Sequence, residues 1–120
     1  MTTILVVDDD SSITQMLQTF LEDEGYRVVI AHDGQEGLAC LKMSPPTLVL
    51  CDFMMPVLNG VQMCQSMQAN PEYQAIPFVL MSALPTAINA ASCRFAALLA
   101  KPFDLDALLQ LMARLSRLAS

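Results

Sequence analysis

Basic residues are scarce in this sequence. Its 120 residues include six Lys and Arg against twelve Asp and Glu, so the formal net charge is −6. Because the basic side chains are few and scattered along the chain, they cannot form a basic face that would bind a phosphate backbone or an anionic membrane surface. Charged residues of both signs make up only 15% of the chain, which predicts a rather apolar surface. The composition therefore argues against direct binding of nucleic acid or membrane.

Long apolar runs are also missing. No stretch approaches the roughly 20 residues of a transmembrane helix. The N-terminus passes from Met1-Thr2-Thr3 directly into a strand-like run, without the basic start and apolar segment of a secretory signal. We therefore expect a cytoplasmic protein. The length and the 54% hydrophobic content suit one domain, which we expect to span 1–120 with no effector domain.

Cysteine spacing of the kind that binds metals is absent. Cys40, Cys51, Cys64 and Cys93 include no CxxC pair, and three of them lie in apolar surroundings. Such a distribution is typical of buried free thiols in a reducing cytosol. We therefore expect inert core cysteines, and neither a zinc site nor a redox pair.

What the sequence does contain is a regular alternation of short apolar runs and amphipathic segments. The runs predict strands over 3–7, 27–31, 47–51, 77–81 and 97–100. Ser11 or Ser12 is predicted to cap the first helix. Further helices are predicted to begin at Asp33-Gly34, at Asn59-Gly60 and after Asp104, with a weaker helix over 86–93. Apolar strands between amphipathic helices indicate a parallel sheet covered on both faces. The predicted fold class is a doubly wound α/β sandwich of five strand–helix units.

Polar residues follow four of the five predicted strands. Asp8 and Asp9 follow the first strand, Asp52 the third, Ser82 the fourth and Lys101 the fifth. The carboxyl ends of parallel strands lie at one edge of a sheet, where ligand sites form. Neighbouring carboxylates repel one another, so three of them together favour a bound cation. The sequence predicts a cation site at this edge, while a solvated turn stays open as the alternative.

Four short motifs in this order resemble the response regulator receiver domain of two-component signalling. They are VVDDD at 6–10, LCDFMMPVLNG at 50–60, MSA at 81–83 and KPF at 101–103, and the likeness extends over 3–118. Each motif alone is weak, whereas the ordered set, with every motif at a strand end, is specific. The resemblance implies the flavodoxin-like, CheY-like sheet order and a phosphorylated signalling switch rather than a metabolic enzyme.

The same resemblance implies a phosphoacceptor and a metal. Asp52 would accept a phosphoryl group from the phosphohistidine of a sensor histidine kinase or a phosphotransfer protein. Asp9 would bind Mg²⁺ directly and Asp8 through water, with Asp52 and the backbone carbonyl of Met54 as further ligands. The charges agree with this, because a carboxylate attacks a negatively charged phosphoryl group poorly unless a hard cation offsets the repulsion.

Ser82 and Lys101 complete the implied site. By the resemblance, the Ser82 hydroxyl contacts the phosphoryl oxygens, Lys101 pairs with the phosphate, and the peptide bond from Lys101 to Pro102 is cis. Phosphoryl transfer depends mainly on positioning and on charge stabilisation, which suits a lysine opposite a metal ion. Asp10 is expected to favour the start of the first helix and to have no role in the site. His32 is expected on the surface without a partner.

The sequence departs from the family pattern where phosphorylation is normally reported to a partner. The family has an aromatic residue three positions before the lysine, whereas this chain has Leu98, and Phe95 is out of register. We define the output face as the predicted helix over 86–93, the strand over 97–100 and the last helix. This face is expected to be atypical and apolar, with Phe95, Leu98 and Leu99 as contacts for a downstream protein or in a homodimer.

Other functions stay open at this point. A pseudo-receiver would be a protein-interaction module without phosphorylation, which the altered output face favours and the intact acidic set opposes. A phosphohydrolase usually has a second carboxylate two residues after its nucleophile, and Met54 occupies that position. A flavin-binding module would need Ser, Thr and Gly after the first strand. If the chain is a receiver, the apolar Met54 and Leu84 are expected to slow self-dephosphorylation.

Overall fold

The five predicted strands form one parallel sheet. A computed structural model describes residues 2–83 and 93–119. Its elements are β1 (Thr3–Val7), α1 (Ser11–Asp23), β2 (Arg27–Ala31), α2 (Gly34–Met43), β3 (Leu48–Asp52), α3 (Gly60–Gln68), β4 (Phe78–Ser82), β5 (Ala97–Ala100) and α4 (Leu105–Ala119). The strand order is β2-β1-β3-β4-β5, which confirms the predicted doubly wound sandwich. The weak helix predicted over 86–93 falls almost entirely outside the described residues. Within those residues, no helix is long and apolar enough to cross a membrane.

Alternate residues of the central strands enter two separate cores. Because side chains of a strand point alternately to the two faces of the sheet, Ile4 and Val6 pack under α1 and α4, whereas Leu5 and Val7 pack under α2 and α3. Every residue of β3 and β4 is buried. This double coverage explains why these strands are apolar without alternation, as expected for a parallel sheet.

Strands β3 and β4 end one residue later than predicted. Asp52 and Ser82 are themselves the last strand residues, and Asp52 pairs in register with Met81. The hydrogen-bonded ladder continues past them, because Phe53 N donates to Met81 O at 2.9 Å and Lys101 N donates to Ser82 O at 2.8 Å. The polar residues of the sheet edge are therefore held by strand pairing rather than by a free loop.

Side-chain caps fix where the helices begin. The prediction that Ser11 or Ser12 caps α1 is wrong, because Asp10 is the N-cap and its carboxylate accepts a hydrogen bond from Ser12 N at 3.0 Å. The Ser12 hydroxyl donates to the same oxygen, and this bond lowers the pKa of Asp10. At α3, Asn59 and Gln62 exchange reciprocal side-chain-to-backbone bonds of 2.9 Å, a capping box.

Two of the four cysteines are not free thiols. Cys64 of α3 and Cys93, just before β5, form a disulfide, with their Cα atoms 6.4 Å apart. The prediction of inert free thiols is therefore wrong for this pair. For the buried Cys51 and the half-buried Cys40, the structure confirms that the thiols are free, while their inertness stays a prediction. The two bonded residues are 29 positions apart. Their proximity arises from the packing of α3 beside β4, the neighbour of β5 in the sheet, which sequence spacing does not reveal.

Candidate functional site

The ends of four strands bring the predicted site residues to one edge of the sheet. Asp8 follows β1, Asp52 ends β3, Ser82 ends β4 and Lys101 follows β5. Three residues of this set are almost fully withdrawn from solvent, with Asp8 1%, Ser82 2% and Asp52 7% exposed. Buried carboxylates are costly unless charged or hydrogen-bonded groups compensate them. The groups that offset the charge of these buried carboxylates therefore determine what the site can bind.

Lys101 bridges the two buried carboxylates. Its Nζ lies 3.0 Å from Asp8 Oδ2 and 2.9 Å from Asp52 Oδ1. The Lys101-Pro102 peptide bond is cis, as predicted. One ammonium group cannot neutralise two carboxylates, and Asp9 adds a third beside them. The edge consequently carries excess negative charge, which suits a second cation.

Burial and charge shift the pKa values of the two central groups. Burial raises the pKa of Asp52, and the negative charge of Asp8 raises it further, while the hydrogen bond from Lys101 partly opposes the shift. Burial alone would lower the pKa of Lys101, but hydrogen bonds to Asp52 and Asp8 outweigh it, so the pKa is raised. Lys101 therefore stays protonated at neutral pH, and an ionised Asp52 is strained electrostatically beside Asp8.

Three carboxylates at this edge fit a hard divalent cation. One oxygen from each of Asp8, Asp9 and Asp52 can be chosen so that all lie within 4.8 Å of one another. The orientation of Asp8 is fixed further, because its Oδ1 accepts a hydrogen bond of 3.0 Å from Asp10 N. Mg²⁺ prefers oxygen ligands and few carboxylates. Met54 lies two residues after Asp52 with its side chain exposed, and the role of its backbone carbonyl stays a prediction.

The loop after Asp52 contains a feature that sequence reasoning missed. Val57 has φ +69°, and Leu58 N donates to Pro56 O at 2.7 Å, which closes a tight γ-turn. This turn is rare and strained, and a β-branched residue makes the positive φ costly. Glycine is the usual signal for such a conformation, so a valine at this position gave no indication of it.

Gly60 allows the first turn of α3 to rest on the end of β3. A Cβ at this position would lie 2.5 Å from the backbone oxygen of Asp52 and equally close to Leu80 Cδ1. Gly60 N also donates to Phe53 O at 3.1 Å. The start of the helix therefore holds the backbone of the predicted phosphoacceptor in place, and only glycine permits that approach.

The residues predicted for partner contact differ in exposure. Leu98 is 39% exposed, whereas Leu99 is half-buried against the core beneath α1 and α4. Phe95 is half-buried too, with its ring centroid 6.3 Å from that of Phe78. Leu98 is thus the best placed of the three to contact a partner. Leu84, predicted to affect dephosphorylation, lies outside the described residues.

His32 lies on the surface, as predicted, but it has a partner. Its Nδ1 is 3.4 Å from Glu36 Oε1, and both side chains are about half exposed, at 57% and 46%. A solvent-exposed pair of this kind contributes little to stability. It also lies outside the acidic edge, so we give it no role in the site.

Comparisons with known proteins agree with this geometry. The model of the family described as "Response regulator receiver domain" matches residues 4–113. Chemotaxis protein CheY4 of Vibrio cholerae is 29% identical, with a TM-score of 0.87 over 96% of this chain and 98% of that one. The receiver domain of the Francisella response regulator 1452 is 27% identical, with a TM-score of 0.91 and full coverage of both chains, 100% each.

Curated relatives match the chain over a shorter range. "Probable transcriptional regulator ycf27" of Cyanophora paradoxa is 43% identical over 81 residues, which cover 68% of this chain and 33% of that protein. "DNA-binding response regulator MtrA" of Mycobacterium tuberculosis is 38% identical over 80 residues, covering 67% and 34%. The chain spans about a third of the length of these relatives. From its sheet order, its acidic edge and the family match over nearly its whole length, the chain belongs to the response regulator receiver domains of two-component signalling.

Proposed function

We propose that this domain accepts a phosphoryl group on Asp52, from the phosphohistidine of a sensor histidine kinase or a phosphotransfer protein, with Mg²⁺ as cofactor. The observation that carries the proposal is the ammonium of Lys101 between the buried carboxylates of Asp8 and Asp52. A lysine in this position holds an acceptor carboxylate and is ready to pair with the charge that phosphorylation adds.

The proposed transfer uses groups that the fold already places together. An oxygen of Asp52 attacks phosphorus, the P–N bond to the donor imidazole breaks, and the imidazole nitrogen leaves with the electron pair. Lys101 Nζ, 2.9 Å from Asp52 Oδ1, then lies within reach of the phosphoryl oxygens. Ser82, which ends the neighbouring strand, would orient a phosphoryl oxygen through its hydroxyl. The domain contributes positioning and charge, which are the main requirements of phosphoryl transfer.

Asp8, Asp9, Asp52 and the backbone carbonyl of Met54 would hold the metal ion. When bound, Mg²⁺ offsets the repulsion between an acceptor carboxylate and a negatively charged phosphoryl group. The oxygen-only donor set and the spacing of the three carboxylates within 4.8 Å support this choice. Weak self-catalysed phosphoryl transfer to Asp52 and slow autodephosphorylation are the only reactions that we assign to the domain.

We also propose that a downstream protein binds the output face, of which the structure describes β5 and α4. The exposed Leu98 on β5 supports a protein contact, and it also allows a homodimer. The excess of acidic over basic residues supports a protein partner over nucleic acid. DNA binding is stated for MtrA, and this chain matches only about a third of that protein.

We also propose that the protein is cytoplasmic and that residues 1–120 form a single domain.

The first experiment is intact-protein mass spectrometry after incubation with acetyl phosphate, with and without Mg²⁺. We expect the mass of one phosphoryl group, dependent on Mg²⁺ and absent from Asp52→Asn. Asp10→Asn is the matched control, because it changes a neighbouring carboxylate that caps a helix. It should be phosphorylated like the original chain.

The same experiment separates the receiver from a pseudo-receiver. A pseudo-receiver would gain no phosphoryl group under any condition, although it would fold and bind its partner. Phosphorylation that persists in Asp52→Asn would instead move the acceptor to another residue. Asp9→Asn should require more Mg²⁺ for the same rate, since it removes one proposed ligand while leaving the acceptor intact.

A further inference from the structure

A cavity lies at the amino ends of β4 and β5, at the edge of the sheet opposite to the acidic edge. Its volume is about 350 Å³. Phe78, the first residue of β4, and Ala96, which directly precedes β5, contribute to its wall. Ser82 ends β4 at the other edge, and a strand rises by about 3.3 Å per residue. The whole length of β4 therefore separates the cavity from the proposed phosphorylation site.

The inner wall of the cavity is apolar. Met67 and Phe78 come from the core beneath α2 and α3, whereas Leu115 comes from the core beneath α1 and α4. All three are buried, as is Tyr73, which also lines the cavity. The two cores therefore leave an apolar gap beyond the ends of the strands. An apolar group that entered this gap would lose much of its contact with water, which favours binding.

The outer wall is polar. Gln68, Gln74 and Arg94 line the cavity and also a second cavity of about 370 Å³ beside it. Gln74 and Arg94 are exposed. Side-chain amides and guanidinium groups donate hydrogen bonds, and within residues 2–83 and 93–119 the Arg94 side chain makes no ion pair. The arrangement therefore offers one cationic donor at the mouth of an apolar gap.

Hydrogen bonds and the disulfide hold the two sides of this mouth together. Gln68 Nε2 donates to Arg94 O at 2.8 Å, and Gln74 Nε2 donates to Gln68 O at 2.9 Å. The bond between Cys64 and Cys93 ties α3 to the residue that precedes Arg94. A site that is ordered before its ligand arrives loses less entropy on binding. The disulfide thus fixes the backbone of Arg94 opposite α3.

Basic residues are concentrated at this end of an acidic chain. The net charge is −6, and only six residues are Lys or Arg. Arg94 lines the cavity, and the exposed Arg114 and Arg117 lie within one turn of the lining residue Leu115 on α4. The exposed Glu72, in the turn before β4, opposes them. Since three of the six basic residues lie at or near the cavity, its mouth favours an anion over a cation.

We propose that this cavity binds a small carboxylate with an apolar body, of the size of a medium-chain fatty acid. The carboxylate pairs with the guanidinium of Arg94, and the apolar body lies against Tyr73 and Phe78. A volume of about 350 Å³ is at the lower end of the range for small-molecule sites, which favours a body of about eight to ten carbons. No residue of the acidic edge lines the cavity, so the proposal is independent of phosphoryl transfer at Asp52.

The test titrates octanoate into the whole ¹⁵N-labelled chain and follows the amide resonances by NMR. We expect saturable shifts at residues 67–78 and 94–96, with a dissociation constant on the order of 1 mM for a ligand of this size. The neutral 1-octanol should shift the same resonances and bind about twofold to fivefold more weakly, because it lacks the charge that pairs with Arg94. The resonances of Asp8 and Asp52 should not move.

Two variants test the parts of the site. Arg94→Gln should weaken octanoate about twofold to fivefold and leave 1-octanol unchanged. Arg27→Gln, which removes an equal charge from the exposed end of β2, is its control and should bind both ligands like the original chain.

The second variant, Ala96→Phe, places a ring in the cavity and should weaken both ligands at least about tenfold. Ala39→Phe, on the exposed side of α2, is its control and should change neither affinity. Circular dichroism checks that each variant is folded.

Three results would overturn the proposal. The first is a set of shifts that does not saturate or that spreads over the surface, which would mean that octanoate has no site. The second is equal binding of octanoate and 1-octanol that Arg94→Gln leaves unchanged, which would remove the carboxylate from the recognition. The third is a folded Ala96→Phe variant with undiminished affinity, which would place binding outside the cavity. None of these results would affect phosphorylation by acetyl phosphate, so the two proposals fail separately.

Discussion

Lys101 reaches Asp52 across the full width of a strand. Its Nζ lies 2.9 Å from Asp52 Oδ1, although β4 separates the strand that ends at Asp52 from the strand that precedes Lys101. Neighbouring strands lie about 4.8 Å apart, so the two side chains and the contact between them together span roughly two strand spacings, or about 10 Å. The same nitrogen contacts Asp8 Oδ2 at 3.0 Å. A single cation just after β5 therefore joins the side chain at the end of β3 to the side chain just after β1.

Replacing Lys101 by Met should expose the repulsion that the lysine offsets. The variant leaves Asp8 and Asp52 buried beside each other without their shared cation, so we expect unfolding free energy to fall by about 1–3 kcal/mol. Mg²⁺ should restore part of the loss. Urea unfolding with and without Mg²⁺ measures both effects. Lys42→Met, at the exposed end of α2, should change stability by less than about 0.5 kcal/mol, and an equal loss in both variants would contradict the prediction.

Asp52→Asn should stabilise the metal-free domain at neutral pH. Because the pKa of Asp52 is raised in the fold, the folded state binds more protons than the unfolded state between the two pKa values. The contribution of this group to stability consequently falls as pH rises through that interval. The variant should be more stable than the original chain at pH 7, and the two should converge as the pH is lowered toward 4.

The response to metal gives the second half of this test. Mg²⁺ at ten times its dissociation constant should stabilise the original chain by about 1.4 kcal/mol. Asp52→Asn lacks one proposed ligand and should respond less. Thermal unfolding at several pH values and Mg²⁺ concentrations measures both effects. An original chain that is more stable than the variant at pH 7 without metal would show that the pairing with Lys101 outweighs burial.

Gly60→Ala should disturb the proposed phosphoacceptor, Asp52, more than a similar change elsewhere. The added Cβ would lie 2.5 Å from the backbone oxygen of Asp52, which cannot move without shifting β3. We expect a loss of about 2–3 kcal/mol and slower phosphorylation. Gly37→Ala is the matched control, because its Cβ would meet the flexible end of Met63 at 2.8 Å. Comparable losses of stability and rate in the two variants would argue against a special role for Gly60.

Val57→Gly should stabilise the domain. It relieves the positive φ of Val57, and although glycine gains entropy in the unfolded state, we expect a net increase of about 0.5–1 kcal/mol in unfolding free energy. Denaturant unfolding measures it. Val61→Gly, inside α3, should instead lower stability by about 1 kcal/mol. A decrease in both variants would mean that the turn at Val57 is not strained.

Met54→Asn should shorten the lifetime of the phosphorylated state. Met54 lies two residues after Asp52, and its side chain is 71% exposed beside the acidic edge, where an apolar group hinders an attacking water. We expect dephosphorylation to accelerate several-fold. Mass spectrometry of the phosphorylated protein measures the rate, as loss of the phosphoryl mass over time. Met43→Asn, 86% exposed at the end of α2, should not change the rate. An unchanged lifetime in Met54→Asn would place the control of hydrolysis elsewhere.

Local chemistry made the sheet and its polar edge predictable, whereas contacts between distant residues were not. Short apolar runs define β1 and β3, and the residue type that follows each run identified Asp8 and Asp52. Nothing in the sequence pairs Cys64 with Cys93, because a disulfide depends on where α3 packs. The positive φ of Val57 was equally hidden, since it is imposed by the surrounding loop rather than by the residue itself.

The lysine bridge also has a consequence for the order in which the chain folds. Asp8 and Lys101 are 93 positions apart, and the strands that carry Asp52 and Ser82 lie between them in the sequence. During synthesis the acidic cluster would emerge long before its lysine. Contacts of such high sequence separation form late, because they close long loops. A partly made chain therefore holds its carboxylates without their counter-charge, and competence for signalling arises only when the last strand has joined the sheet.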